Sequence, residues 1–105
     1  MPEKRYKVPE AARNNARRIL ELKKKFGDEV KGMTEVGWAR ARQLATEEYI
    51  SYETVAKMAG FARHLKNAKV PPELKSTPWK DAGWTAVMGW GGETGINWAL
   101  SITGG

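Results

Sequence analysis

Apolar residues recur at helical spacing in three successive stretches of the chain. The first stripe runs through Ala12, Ala16, Ile19, Leu22 and Phe26, with the stem of Lys23, and closes at Gly27. This spacing predicts a helix over 9–26. Pro9 stands near its first position, where a missing N–H costs little. Lys23, Lys24 and Lys25 fall in its last turn, where cations complement the helix dipole. Residues 27–33, with two glycines and Asp28-Glu29, read as a connector. Thr34 is then placed to cap a second helix ending near Thr46, with Glu35 in its first turn and apolar positions Val36, Trp38, Ala41, Leu44 and Ala45. Gly37 weakens that helix by roughly 1 kcal/mol relative to Ala.

Ser51 caps a predicted third helix, whose stripe is Val55, Met58, Ala59, Ala62 and Leu65 and which extends to about Lys66. Residues 67–78 form a loop marked by Pro71-Pro72 and Pro78, since proline disfavours helix in the residue before it. The last third changes character. Four of the five tryptophans and seven of the eleven glycines fall from Trp79 onward. A helix over about 79–90, a stop at Gly91-Gly92 and a short helix over about 94–102 are expected. No stretch alternates convincingly at period two, so little strand is predicted. The expected fold is all-α: a compact bundle of four to five short helices with a helix-turn-helix-like pair in the middle. It forms a single domain over 1–105, with a basic arm at 1–8.

A chain of 105 residues buries one core of limited size. It contains no cysteine, which removes disulfides, thiolate metal sites and a cysteine nucleophile. No apolar run approaches the roughly 18 residues of a membrane span, and the N-terminal residues 1–7 lack the apolar region of a signal peptide. A protein neither secreted nor membrane-spanning is expected.

Charge changes the picture more. Net charge is +6, and residues 1–26 hold nine Lys/Arg against Glu3, Glu10 and Glu21, while the rest of the chain is balanced. Attraction to an anionic partner is therefore expected in this one segment. Arg13, Arg17 and Lys24 share a face of the first helix, broken by Glu21, and the arm adds Lys4, Arg5 and Lys7. An arm and helix of this kind suit nucleic acid or an acidic protein surface. They equally suit a solvated surface helix.

Candidate chemistry is sparse, and no catalytic residue is assigned. His64 is the only histidine, with no His or Cys partner at metal-ligand spacing and no nucleophile elbow around Ser51, Ser76 or Ser101. Glu47 and Glu48 sit at a helix end and point different ways, which does not suit an acid–base pair. The run from Gly89 to Gly95 lacks a phosphate-loop lysine and a dinucleotide fingerprint, and reads as a tight helix–helix turn. No cofactor or metal is expected. Trp84, Trp90 and Trp98 offer either a stacking or hot-spot surface or, as expected for most of the tryptophans, core. Trp79 and Trp90 are the candidate protein-interface residues.

The segment 41–58 scans like a helix-turn-helix, with Leu44-Ala45, Ile50, Val55 and Met58 spaced to let two helices pack across a short turn. Its turn holds Tyr49 where glycine is usual. Arg42 and Lys57 are outnumbered by Glu47, Glu48 and Glu53, so phosphate contact would have to come from another surface.

Three stretches together resemble a small domain that recurs in tailed-bacteriophage proteins. They are Val8-Pro9 with Ala16-Arg17-Arg18-Ile19-Leu20-Glu21-Leu22; Ala39-Arg40-Ala41-Arg42-Gln43-Leu44-Ala45 leading to Ser51 and Thr54-Val55; and Trp90-Gly91-Gly92 with Gly95 and Trp98-Ala99. Phe61-Ala62-Arg63-His64 matches the pattern's Phe-x-Arg-His, and Glu93 fills its acidic place after the double glycine. The glycine usual before the helix-three serine is absent, since Glu47-Glu48-Tyr49 stands there. The resemblance spans nearly the whole chain. It implies a phage origin, with the domain alone or appended to head-maturation and structural proteins, and it carries no defined activity. The function expected is a non-enzymatic accessory or assembly module in the host cytoplasm or virion. Its basic N-terminal helix would meet a phage or host protein or nucleic acid; a helix-turn-helix DNA-binding regulator is the alternative.

Overall fold

The computed structural model describes residues 4–104, without the side chain of Asn67; Met1–Glu3 of the expected arm lie outside the described residues. Five α-helices account for most of the chain: α1 (Glu10–Phe26), α2 (Glu35–Thr46), α3 (Tyr52–Gly60), α4 (Ala82–Gly89) and α5 (Gly92–Thr103). The fold is an all-α bundle. Its caps are those the sequence dictates. The Thr34 hydroxyl accepts from the Gly37 N–H at 3.1 Å, and the Ser51 hydroxyl from the Thr54 N–H at 3.3 Å. Asp81, not foreseen as a cap, accepts from the Trp84 N–H at 2.8 Å. It therefore starts α4 three residues later than expected, after a single 3₁₀ turn at Pro78–Lys80.

The little strand expected amounts to two short strands that the sequence did not locate. β1 (Arg5–Lys7) pairs antiparallel with β2 (Tyr49–Ser51), with Tyr6 opposite Ile50, and the Val8 N–H extends the ladder to the Glu48 carbonyl at 2.9 Å. Three residues are too few for a period-two signal to stand out, but the alternation is there. Ile50 is fully buried and Tyr6 partly so, while Arg5 and Lys7 face water. The arm is thus fixed to the segment between α2 and α3.

That pairing also changes the central helix pair. Both helices occur, but residues 47–51 joining them are an extended connector carrying β2, not a tight turn. α2 packs chiefly on α1, and α3 on α5. The third helix is α-helical only to Gly60 and continues as 3₁₀ turns over Phe61–Ala68.

Aliphatic side chains fill the core. Ile19, Leu44, Ile50, Val55, Met58 and Ile96 are fully enclosed. All five tryptophans are only partly buried, contrary to the expectation that most would be core. Trp90 and Trp98 pack on the cluster around Leu44, Ile50 and Met58; Trp38, Trp79 and Trp84 pack on the cluster around Ile19, Val30 and Ala41. An indole is too large for a small core to enclose and spans its edge instead.

The glycine run is a helix–helix joint. Gly91 and Gly92 adopt φ 102° and 73°, which side-chain-bearing residues rarely reach. The Asn15 amide donates to the Gly91 carbonyl at 2.9 Å, tying the joint to α1. At Gly95 a Cβ would sit 2.9 Å from that of Ala12, so the absence of a side chain lets α5 approach α1 closely.

Candidate binding surface

The expected basic residues fall into two groups with different surroundings. Arg13 and Arg17 lie one turn apart on α1 and reach across to the end of α2. Arg17 Nε donates to the Ala45 carbonyl at 3.2 Å, and an Arg13 Nη donates to the Glu47 carbonyl at 3.0 Å. Carbonyls at a helix C-terminus lack intrahelical donors, and guanidinium groups both satisfy them and complement the dipole. At the other end of the pair, the Lys23 ammonium lies 5.6 Å from the Trp38 ring centroid. α1 and α2 therefore run antiparallel. Arg17 and Lys24 remain exposed; Arg13 is half-buried.

Between the two helices runs an open groove of about 680 Å³. Leu20 and Lys23 line it from α1, and Val36, Trp38, Ala39 and Arg42 from α2, with Glu35 at one end. Leu20 shares the face of Arg13, Arg17 and Lys24, since steps of 3, 4, 7 and 11 residues return to one side of a helix. Val36 was expected on the apolar stripe of α2. It is 62% exposed, because the buried side is formed by Gly37, Ala41, Leu44 and Ala45. An apolar strip flanked by Lys23, Arg42 and Glu35 results, with Arg17 and Lys24 on the helix face of Leu20. The sequence reading missed Leu20, Val36 and Arg42 as parts of one surface. The signal was there: Val36 lies one residue, or about 100°, off a stripe already complete without it.

The arm's cations have countercharges beside them. Arg5 lies 3.8 Å from Glu47, and Lys7 3.9 Å from Glu48, all solvent-exposed. Lys4 rests over the Tyr6 ring, 5.3 Å from its centroid. Lys7, Arg13 and Arg17 meet at a shallow cavity of about 380 Å³ that also holds Glu10 and Glu48. In the α1–α2 groove, Lys23 of α1 and Arg42 of α2 adjoin apolar side chains.

Trp79 and Trp90, the candidate interface residues, both have internal partners. Trp79 stacks on Phe26 with centroids 4.2 Å apart, and Trp90 stacks on Phe61 at 5.4 Å while the Arg40 guanidinium covers it at 5.5 Å. Both indoles remain partly exposed beside these partners. His64 is also half-buried. It packs against Phe61 at 4.8 Å and accepts from Arg63 Nε at 3.2 Å. Phe61, His64 and Trp90 line a cavity of about 280 Å³ together with Met33 and Thr34. Its walls are mostly apolar, and His64 is its one titratable side chain.

Among the described residues, no group of three or more His, Asp or Glu side chains is placed to hold a metal ion, and no helix is long and apolar enough to cross a membrane. Comparison with protein-family models, with curated proteins and with solved structures finds no match for this chain.

Proposed function

We propose that the protein is a non-enzymatic binding module that receives an anionic partner on the basic face of α1. The observation that carries this reading is the placement of charge. The whole net charge of +6 resides in residues 1–26, and Arg17 and Lys24 stay exposed along one helix face beside Arg42 of α2. Arg17 reaches the end of α2 with Nε alone, so the rest of its guanidinium is available to a partner. The resemblance of the sequence to a tailed-phage domain supports a role as an accessory or assembly module in a phage, in the host cytoplasm or in the virion.

A helix-turn-helix regulator is less well supported. A reading helix needs to be presented across a short turn from its partner helix. Here α3 begins after a paired strand, and its neighbouring carboxylates Glu47, Glu48 and Glu53 disfavour phosphate.

Retention on an immobilised sulfated polyanion, eluted by rising salt, tests the proposal. The wild-type protein is expected to be retained at low salt. A variant carrying Arg17→Glu and Lys24→Glu should elute at markedly lower salt, while Lys57→Glu on α3 should elute almost with the wild type. Passage of the wild type through the column at low salt would contradict the reading.

A further inference from the structure

We infer that the groove between α1 and α2 receives an acidic amphipathic helix of a protein partner. The inference rests on the anionic-partner reading above and names the partner's class. Two properties of the groove point the same way. Its strip is apolar, formed by Leu20, Val36, Trp38 and Ala39, and Val36 stands 62% exposed on it. Its rim is mostly cationic, with Lys23 and Arg42 in the lining and exposed Arg17 and Lys24 on the helix face of Leu20, against Glu35 at one end and Glu21 between Arg17 and Lys24. An apolar centre with a charged rim is the layout of a protein-binding surface.

Contacts to phosphate backbones draw their affinity chiefly from cations and polar donors, and an exposed valine adds nothing to them. The arm's cations, Arg5 and Lys7, lie beside Glu47 and Glu48, which disfavour phosphate there. A helix with apolar residues at i, i+4 and i+7 and carboxylates on both flanks satisfies strip and rim together. α2 lines the groove from Glu35 to Arg42, about 12 Å of axis, which matches roughly two turns of such a helix. The match is one of charge and apolar spacing along a single axis.

Calorimetric titration of the full chain with three synthetic probes tests the inference. The first is an acidic helical peptide of about four turns, with leucines in an i, i+4, i+7 stripe and glutamates on its flanks. The second has the same charges with each leucine replaced by serine. The third is duplex DNA. The first probe is expected to bind at least tenfold more tightly than the other two, and Val36→Ser should weaken it about tenfold. Lys24→Glu with Arg42→Glu should abolish it. Equal binding of all three probes, indifferent to Val36→Ser, would overturn the inference while leaving the anionic-face reading standing. Preference for DNA would do the same and identify the partner as nucleic acid. Failure of every probe to bind at low salt would overturn both.

Discussion

The joint between α4 and α5 and the groove between α1 and α2 are two places where this chain departs from an ordinary helical bundle. They differ in what their unusual residues face. At the joint, Gly91, Gly92 and Gly95 meet Ala12 and Asn15 of α1 at close range, and all three glycines are buried. In the groove, Val36 and Arg42 meet solvent, as does Lys24 beside it. In the sequence both regions look like functional signals, a glycine-rich run and a basic run. Packing separates them: the glycines are consumed in holding α5 against α1, while part of the basic face is left over after the fold is satisfied.

Substitutions that treat the two regions differently sharpen the contrast. The largest effect is expected at the joint. Gly92→Ala forces a left-handed residue to carry a Cβ 2.1 Å from the Asn15 amide, which must move and give up its bond to the Gly91 carbonyl. A loss of about 2 to 4 kcal/mol in urea denaturation is expected. Polyanion retention of the folded fraction should be unchanged. A stability loss under about 0.5 kcal/mol, the scale of a neutral surface change, would remove the joint from the account.

Arg17 belongs to both kinds of surface, and Arg17→Ala separates its roles. Loss of the bond to the Ala45 carbonyl should cost about 0.5 to 1 kcal/mol in thermal or chemical denaturation, and polyanion retention should fall as well. Lys24→Ala should lower retention alone. Were both variants to change stability equally, Arg17's contact with α2 would not matter.

The smallest stability changes are expected where side chains meet nothing. Val36→Ser should alter folding stability by no more than about 0.5 kcal/mol, although it removes an apolar group from the groove. A larger loss would mean that Val36 is covered within the fold. Gly60→Ala makes a sharper contrast with Gly92. A Cβ there meets nothing within 4 Å, and the backbone is already helical at φ −60°. It should stabilise the protein by about 0.5 kcal/mol, chiefly by restricting the unfolded chain. Destabilisation instead would show that proximity, rather than glycine content, is the wrong guide to which glycines matter.

How much of this was legible in the sequence depended on the length of each pattern. α1 was read within a residue, because its stripe repeats over four turns and is bounded by Pro9 and Gly27. The joint was also legible, since a double glycine between two apolar runs has few other uses. The β1–β2 pair was not. Its three-residue strands lie 44 positions apart, and only the burial of Ile50 shows why they meet. The end of α3 was overrun because the apolar spacing continues through Leu65 while the backbone tightens to 3₁₀ after Gly60. The basic face was half legible. Helical periodicity put Arg13, Arg17 and Lys24 together, but pairing with α2 was needed to see that Arg13 is half-buried and that Val36 and Arg42 complete the surface. The tryptophans misled for a reason of size: apolarity predicted burial, and volume kept them at the edge of the core.

The central claim is that the α1–α2 face, and not the glycine joint or the Phe61–Trp90 cavity, is where this protein meets its partner. Backbone amide shifts recorded while a soluble polyanion such as polyglutamate is added test it most directly. The account predicts perturbations over residues 13–24 and 35–42 that fade as salt is raised. Perturbations concentrated over residues 61–64 and 89–95, with α1 and α2 silent, would contradict it.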